Sequence, residues 1–312
     1  MTSAQSHRTW LGVTFAIVSG IAFGLSGVAA STLFRYYPRF DALWLSQVRM
    51  VSAGLILLLI SGFTRQHPFA IWQHWHSARQ VIIYGLFGTI PVQFCYFLAV
   101  QAGNASIATI LQYLGPFAIV AYYILRYRQL PRRSEVVGMI LAFIGVALIV
   151  THGQFQSLSI SPAVLFWGLM AALGTATNTL LPRPILPKYG VLNCTGWALL
   201  IAGTVLNLAH PMWRQSRPPL TLPIVLLVLA IVLVGTVLAL ALYNISFSYI
   251  QPTTASLLNA FEPLSATLFS VLLLGIPFTG FDATGSLLVI VAVMCLTLDL
   301  RKYFRLLRRR SS

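Results

Sequence analysis

Two prolines inside otherwise apolar stretches mark the places where this chain gathers polar groups. Gln112 stands four residues before Pro116, and Asn259 four residues before Pro263. A proline within a helix carries no N–H and leaves the carbonyl four residues back without its partner. Each position therefore combines a freed carbonyl with an amide side chain at one depth, and Pro116 and Pro263 are expected to be hinges. An ordinary packed kink is the alternative. Next to the second proline stands Glu262, the one acid in the interior of a predicted span. A charged side chain at the centre of a bilayer costs about 2.5–3.5 kcal/mol on insertion scales, so Glu262 must face other helices or a wet cavity. There it could bind a solute, couple its movement to protons or gate it, or simply hydrogen-bond a neighbouring helix.

Other polar side chains in apolar segments complete the candidate set. Gln93 and Tyr96 are three apart and so share a helix face. Tyr113, Asn178, Tyr243 and Asn244 are the rest. With Gln112, Asn259 and Glu262 they form an expected substrate-binding set. Arg49 is the one base well inside a span; it could meet a substrate carboxylate or Glu262, but about two turns into its helix it is expected to snorkel to the interface. Trp167 suits a lipid-facing aromatic belt better than a stacking role. Amides, phenols and single charges suit reversible binding of a small polar solute. They do not assemble bond-breaking chemistry, and the chain has no GxSxG, HExxH, Walker lysine motif or carboxylate pair, so no enzyme is expected. His74 and His76 lack a third ligand, so no metal and no cofactor are expected either.

The elements that hold these residues follow from composition. Of 312 residues, 58% are hydrophobic and 8% charged, whereas a soluble chain carries about 25% charged residues. The excess apolar surface must face lipid, which excludes a soluble enzyme. Segments of about 20 apolar residues without period-two alternation indicate an all-α integral membrane fold of ten helices. They fall at about 10–33, 42–62, 81–101, 105–125, 135–151, 162–181, 191–209, 223–247, 253–275 and 281–299. Residues 63–80, with His67, Trp72, His74, Trp75 and His76, suit a connector in the headgroup region. Cys95, Cys194 and Cys295 lie in apolar segments without a pairing pattern and read as free thiols. Gly20 and Gly24, four apart, suit close helix packing.

The net charge of +15 does not indicate nucleic acid, because the basic residues cluster at segment ends. With the N-terminus in the cytoplasm, fifteen of the twenty Lys and Arg fall on the inside, six of them in the tail after residue 300. Only Arg35, Arg39, Arg214 and Arg217 fall outside. That asymmetry puts both termini in the cytoplasm of a multi-pass protein of the cell membrane.

The two halves also repeat. At an offset of 147, Gly88-Thr89 meets Gly235-Thr236, Tyr96 meets Tyr243, Pro116 meets Pro263, Gly138 meets Gly285 and Glu135 meets Asp282. The units are 1–152 and 153–300, followed by a basic tail, 301–312. Five spans per unit is an odd number, so the copies must be inverted, an arrangement that in secondary transporters places the site near the membrane midplane.

The segments Ala108 to Pro116 and Gly138 to Gly145, with their second copies Ala255 to Pro263 and Gly285 to Ala292, resemble the EamA-type family of the drug/metabolite transporter superfamily. The resemblance spans about residues 10–299. It implies a ten-helix, two-repeat transporter with a cavity between the halves, for amino acids, amines or other polar metabolites, in either direction. The family often ends the fourth helix of each repeat with Glu; the matching positions here are Gln129 and Ile276, so no role of that acid carries over. The expected function is a secondary transporter of a small polar metabolite, an amino acid or related compound. Its expected partners are that small-molecule substrate and the lipid bilayer, with no nucleic acid, as a monomer or homodimer. The readings it competes with are a membrane-embedded enzyme, a lipid-handling protein and a non-transporting subunit of a complex.

Overall fold

The computed structural model describes residues 3–37, 40, 42–64, 67–102, 105–155, 161–214, 221–275 and 277–297. The expected basic tail 301–312, the basic residues Arg39, Arg65 and Arg217, and Ile276 lie outside the described residues. Among the described residues every regular element is a helix. The long ones are α1 (Ser3–Tyr36), α2 (Ala42–Phe63), α3 (Trp75–Tyr84), α4 (Tyr96–Ala102), α5 (Ala105–Gln112), α6 (Gly115–Tyr127) and α7 (Arg133–Thr151) in the first half. The second half holds α8 (Pro162–Leu180), α9 (Leu186–Ala209), α10 (Leu222–Val232), α11 (Ala239–Ser246), α12 (Pro252–Leu258), α13 (Phe261–Leu274) and α14 (Gly280–Thr297). Eight helical stretches among the described residues are long and apolar enough to cross a membrane, so the chain is a multi-pass membrane protein. Two others are interrupted or shorter: the run from α3 to α4, and the apolar part of α14, Gly280–Cys295.

Where the boundaries depart from expectation, the reason is local. The third helical run begins at Trp75 rather than 81, because the expected connector ends in a short 3₁₀ turn at Ala70–Gln73 and its last residues are helical. α9 starts at Leu186 but breaks at Gly190, whose φ of 78° only glycine adopts freely.

Helix packing is paired across the halves. α2 lies along α9, and α7 lies along α14. Both pairs approach through glycine: a Cβ added at Gly145 would stand 2.8 Å from the Gly285 carbonyl, and one added at Gly54 would stand 2.9 Å from the Gly196 carbonyl. Backbones this close gain van der Waals contact that lipid cannot supply. α1 packs on α11 and α13, with Gly24 against the Glu262 carbonyl; α8 packs on α4, α5 and α6.

The runs α3–α4 and α10–α11 share a further feature. Residues 85–89, 91–95 and 233–238 widen to π-helical turns. Within them Thr89 Oγ1 meets the carbonyl of Tyr84 at 3.5 Å and Thr236 Oγ1 that of Ile231 at 3.0 Å, each five residues back. The hydroxyl occupies a carbonyl that the wider turn would otherwise leave short of a donor.

The ends of the bundle are tied separately. At one end Arg183, after α8, bonds Tyr123 of α6. At the other, His152 Nδ1 lies 2.7 Å from Asp282 Oδ1, and Gln47 Nε2 donates to the His210 carbonyl at 2.7 Å.

Candidate functional site

The two proline-containing runs are broken rather than bent. α5 stops at Gln112 and α6 starts at Gly115, with a turn at 113–114; α12 stops at Leu258 and α13 starts at Phe261, with a turn at 259–260. Pro116 is in the first turn of α6, where a missing N–H costs nothing and a fixed φ favours helix initiation. Pro263 is the third residue of α13. The kinks expected at the prolines are thus helix starts, and each break precedes its proline.

The breaks meet. Tyr113 Oη donates at 2.6 Å to the Asn259 carbonyl, which also takes the Glu262 amide at 2.8 Å, so a phenol of one half reaches the break of the other. Asn259 Nδ2 in turn donates to Glu262 Oε2 at 3.0 Å. Glu262 lies within electrostatic reach of Arg49, Tyr96, Tyr113 and Tyr243. Glu262 is half-buried.

Arg49 overturns the snorkelling expectation. Its Nη2 donates to Gln93 Oε1, which turns the guanidinium inward from α2 toward the π-helical turn at 91–95. An interface several residues away along the helix could have hydrated that head, but the Gln93 amide and the Glu262 field hold it inside. Two polar atoms here have no hydrogen-bond partner among the described residues: Arg49 Nε, a donor, and Asn259 Oδ1, an acceptor. Buried polar atoms left alone cost about 1–3 kcal/mol each, so both atoms are open to a polar partner.

The remaining expected residues divide in two. Gln112 Nε2 donates to the Val92 carbonyl at 3.1 Å, and Tyr96 Oη meets Thr109 Oγ1 at 3.1 Å. Both are half-buried and share the level of the breaks. Asn178, Tyr243 and Asn244 are buried between helices instead. Tyr243 Oη meets Thr179 Oγ1 at 3.2 Å, Asn244 Nδ2 donates to Thr195 Oγ1 at 2.9 Å, and Asn178 backs Gly88. The sequence reading did not single out Thr109, Thr179, Thr195 or the fully buried Tyr84, which sits beside Asn244 and Thr195. Isolated threonines and tyrosines are common in membrane helices, and no spacing set these apart. Among the described residues no three His, Cys, Asp or Glu side chains converge where a metal could be held.

The sequence profile of the EamA-like transporter family matches residues 10–151 and again 162–298. The chain belongs to this family. Over 296 residues it is 33% identical to the inner membrane transporter YicL of Salmonella typhimurium, covering 94% of this chain and 97% of that protein. It is 24% identical to the transporter YyaM of Bacillus subtilis, with 90% of each chain covered. It is 22% identical to the threonine/homoserine exporter RhtA of Salmonella typhimurium, with 96% of each covered. One crystal structure, 18% identical, superposes on 95% of this chain and 99% of its own with a TM-score of 0.76, which shows a shared fold. The EamA-like family and these relatives are transporters, not enzymes, and the cluster around Glu262 is the candidate solute site.

Proposed function

We propose that the protein is a secondary transporter that carries a small polar metabolite across the cell membrane by alternating access. In this reading ten helices form two inverted five-helix repeats. Each of the ten is a single helix or one of the runs α3–α4, α5–α6, α10–α11 and α12–α13. The support is the double family match, the α2–α9 and α7–α14 pairs, and the breaks and π-helical turns that recur at matching places. Broken helices meeting at mid-bundle are where transporters of this design hold their cargo.

One observation carries the solute class: a guanidinium, Arg49, and a carboxylate, Glu262, lie within electrostatic reach of each other at the crossing of the two breaks, each braced by an amide, Gln93 and Asn259. That pair of opposite charges suits a small zwitterion, with its carboxylate at Arg49 and its ammonium at Glu262. An amino acid or related compound fits, in keeping with a relative named as a threonine/homoserine exporter. Gln93, Tyr96, Gln112, Tyr113, Asn259 and Glu262 form the wall, and Asn178, Tyr243 and Asn244 hold its supporting helices. The protein lies in the bilayer as a monomer or homodimer with both termini in the cytoplasm.

The test is ligand-induced stabilisation of the purified protein in detergent, screened against amino acids, amines, vitamins and nucleosides. A ligand at a hundred times its Kd stabilises by about 2.7 kcal/mol, a shift of several degrees in Tm. Small zwitterions are expected to give that shift and amines or carboxylates of the same size to give less. A screen in which only nucleosides or vitamins respond would overturn the zwitterion reading.

Inversion is tested separately. Reporters fused after residues 129 and 278 are expected on opposite sides of the membrane, the first in the cytoplasm. Finding both on one side would end the inverted-repeat reading.

A further inference from the structure

At the end of the bundle where α6 stops and α12 starts, a cavity of about 260 Å³ opens between the two halves. A water claims about 30 Å³ of liquid, so the space is that of roughly eight waters, or of a small metabolite. Its wall comes from separate segments: Tyr123 of α6, Gln129 after it, Glu135 of α7, Arg183 after α8, and Gln251 and Thr253 at the start of α12. Thr253 is buried on its inner wall and stands six residues before Asn259. At about 1.5 Å per helical residue, roughly 9 Å of chain separates this cavity from the central site.

The charges on and beside this wall do not balance. Arg183 brings a fixed positive charge and several N–H donors and no acceptor, whereas the amides of Gln129 and Gln251 both donate and accept. Tyr123 and Thr253 can donate as well as accept. Against these stands one carboxylate, Glu135, and its Oε2 already takes the Arg132 amide at 2.9 Å as the cap of α7. Arg183 spends its hydrogen bond on the neutral Tyr123 phenol, and among the described residues it has no ion-pair partner. Arg126, Arg128, Arg132 and Arg133 stand on the adjoining segment and add to the positive field. As surface charges alone these arginines are topology determinants, but Arg183 differs in lining a cleft between the two halves.

We infer that this vestibule is a capture site for an anionic group, a carboxylate or phosphate of a small solute, with Arg183 as its charged contact. The anion replaces the Tyr123 phenol as partner of the guanidinium, exchanging a neutral hydrogen bond for a charge-assisted one that is roughly twice as strong. Arg183 with the four flanking arginines outweighs the single carboxylate of Glu135, and a net positive field at a cleft raises the local concentration of opposite charge by about tenfold or more. The inference rests on the transport reading for its purpose, to collect solute ahead of the central site. Its test reads charge in the vestibule alone, so either reading can fail while the other stands.

The test places a cysteine at Thr253 and, in a second protein, at Val120, which also lines the cavity. Each purified protein is reacted with two methanethiosulfonates of similar size, one bearing a sulfonate and one a trimethylammonium. Rates are corrected for reaction with free cysteine and for the background of the parent with its own three thiols. The anionic reagent is expected to react about tenfold faster than the cationic one at either reporter. In Arg183→Gln that preference is expected to fall at least threefold, and in Arg183→Lys to be largely kept. If Thr253→Cys does not fold, Val120→Cys gives the answer alone. A preference at or below one, a preference untouched by Arg183→Gln, or no reaction at either reporter overturns the inference.

Discussion

Glu262→Leu is expected to keep the fold and lose transport. The substitution exchanges a carboxylate for an apolar side chain of similar size, so the α13 backbone and its packing on α1 have no reason to move. What disappears is the acceptor of the Asn259 amide and the negative member of the Arg49–Glu262 pair. Truncating one partner of a buried charge pair costs about 2–5 kcal/mol, much of it in leaving the other charge alone. Here the abandoned charges are the solute's ammonium and, more distantly, Arg49. Affinity for a zwitterion should fall about thirtyfold or more, since each 1.4 kcal/mol is a factor of ten. Glu262→Gln separates charge from shape: it can still accept from Asn259 but cannot ionise. Its transport is expected to be weak and indifferent to pH across the range in which the wild-type rate changes. Equilibrium binding, initial rate and thermal melting on the same three proteins decide the matter. Wild-type transport by Glu262→Leu at every pH would remove Glu262 from the site.

How far the sequence could have led to this site differs from residue to residue. The spans were legible because hydrocarbon thickness sets a length that apolar runs must meet, and because glycine and proline punctuate them. Glu262 was legible because an acid in lipid has few tolerable environments. Arg49 was misread for the complementary reason: its long stem permits two destinations, and the one it takes depends on Gln93, which a different helix presents. Gln93 and Tyr96 illustrate a second kind of failure. Three residues apart on an α-helix they would point the same way, but 91–95 is a π-helical turn, and the two side chains reach different partners, Arg49 and Thr109. A local change of helical pitch leaves little trace in a run of apolar residues. The vestibule was the least legible, since its wall is drawn from four stretches of chain and no motif joins Tyr123 to Arg183.

Pro116→Ala and Pro263→Ala are expected to slow turnover while leaving binding nearly intact. Each break exists because the chain cannot continue the hydrogen-bond ladder through the proline nitrogen. In α12–α13 the carbonyl that the ladder would have used, that of Asn259, is bonded by the Glu262 amide and by Tyr113 from the other half. Alanine at 263 supplies an N–H that competes for this oxygen. Alanine is also better suited to a continuous helix by about 3 kcal/mol in a helix interior, so the turn at 259–260 is drawn toward a straight path. The α5–α6 break responds in the same sense at Gln112. Passage between outward and inward states requires these broken runs to change angle, and an extra hydrogen bond worth about 1 kcal/mol that must open in each cycle slows the step about fivefold. Binding needs only the cavity wall, and Arg49, Gln93 and Glu262 stay in place in both variants. The expected signature is therefore a turnover deficit of about fivefold or more, with Kd changed by less than about twofold. Combining the two substitutions should deepen the turnover deficit, because each half has its own break. Equal losses of binding and rate, or no loss of either, would mean that Pro116 and Pro263 only start their helices and that the motion lies elsewhere in the bundle.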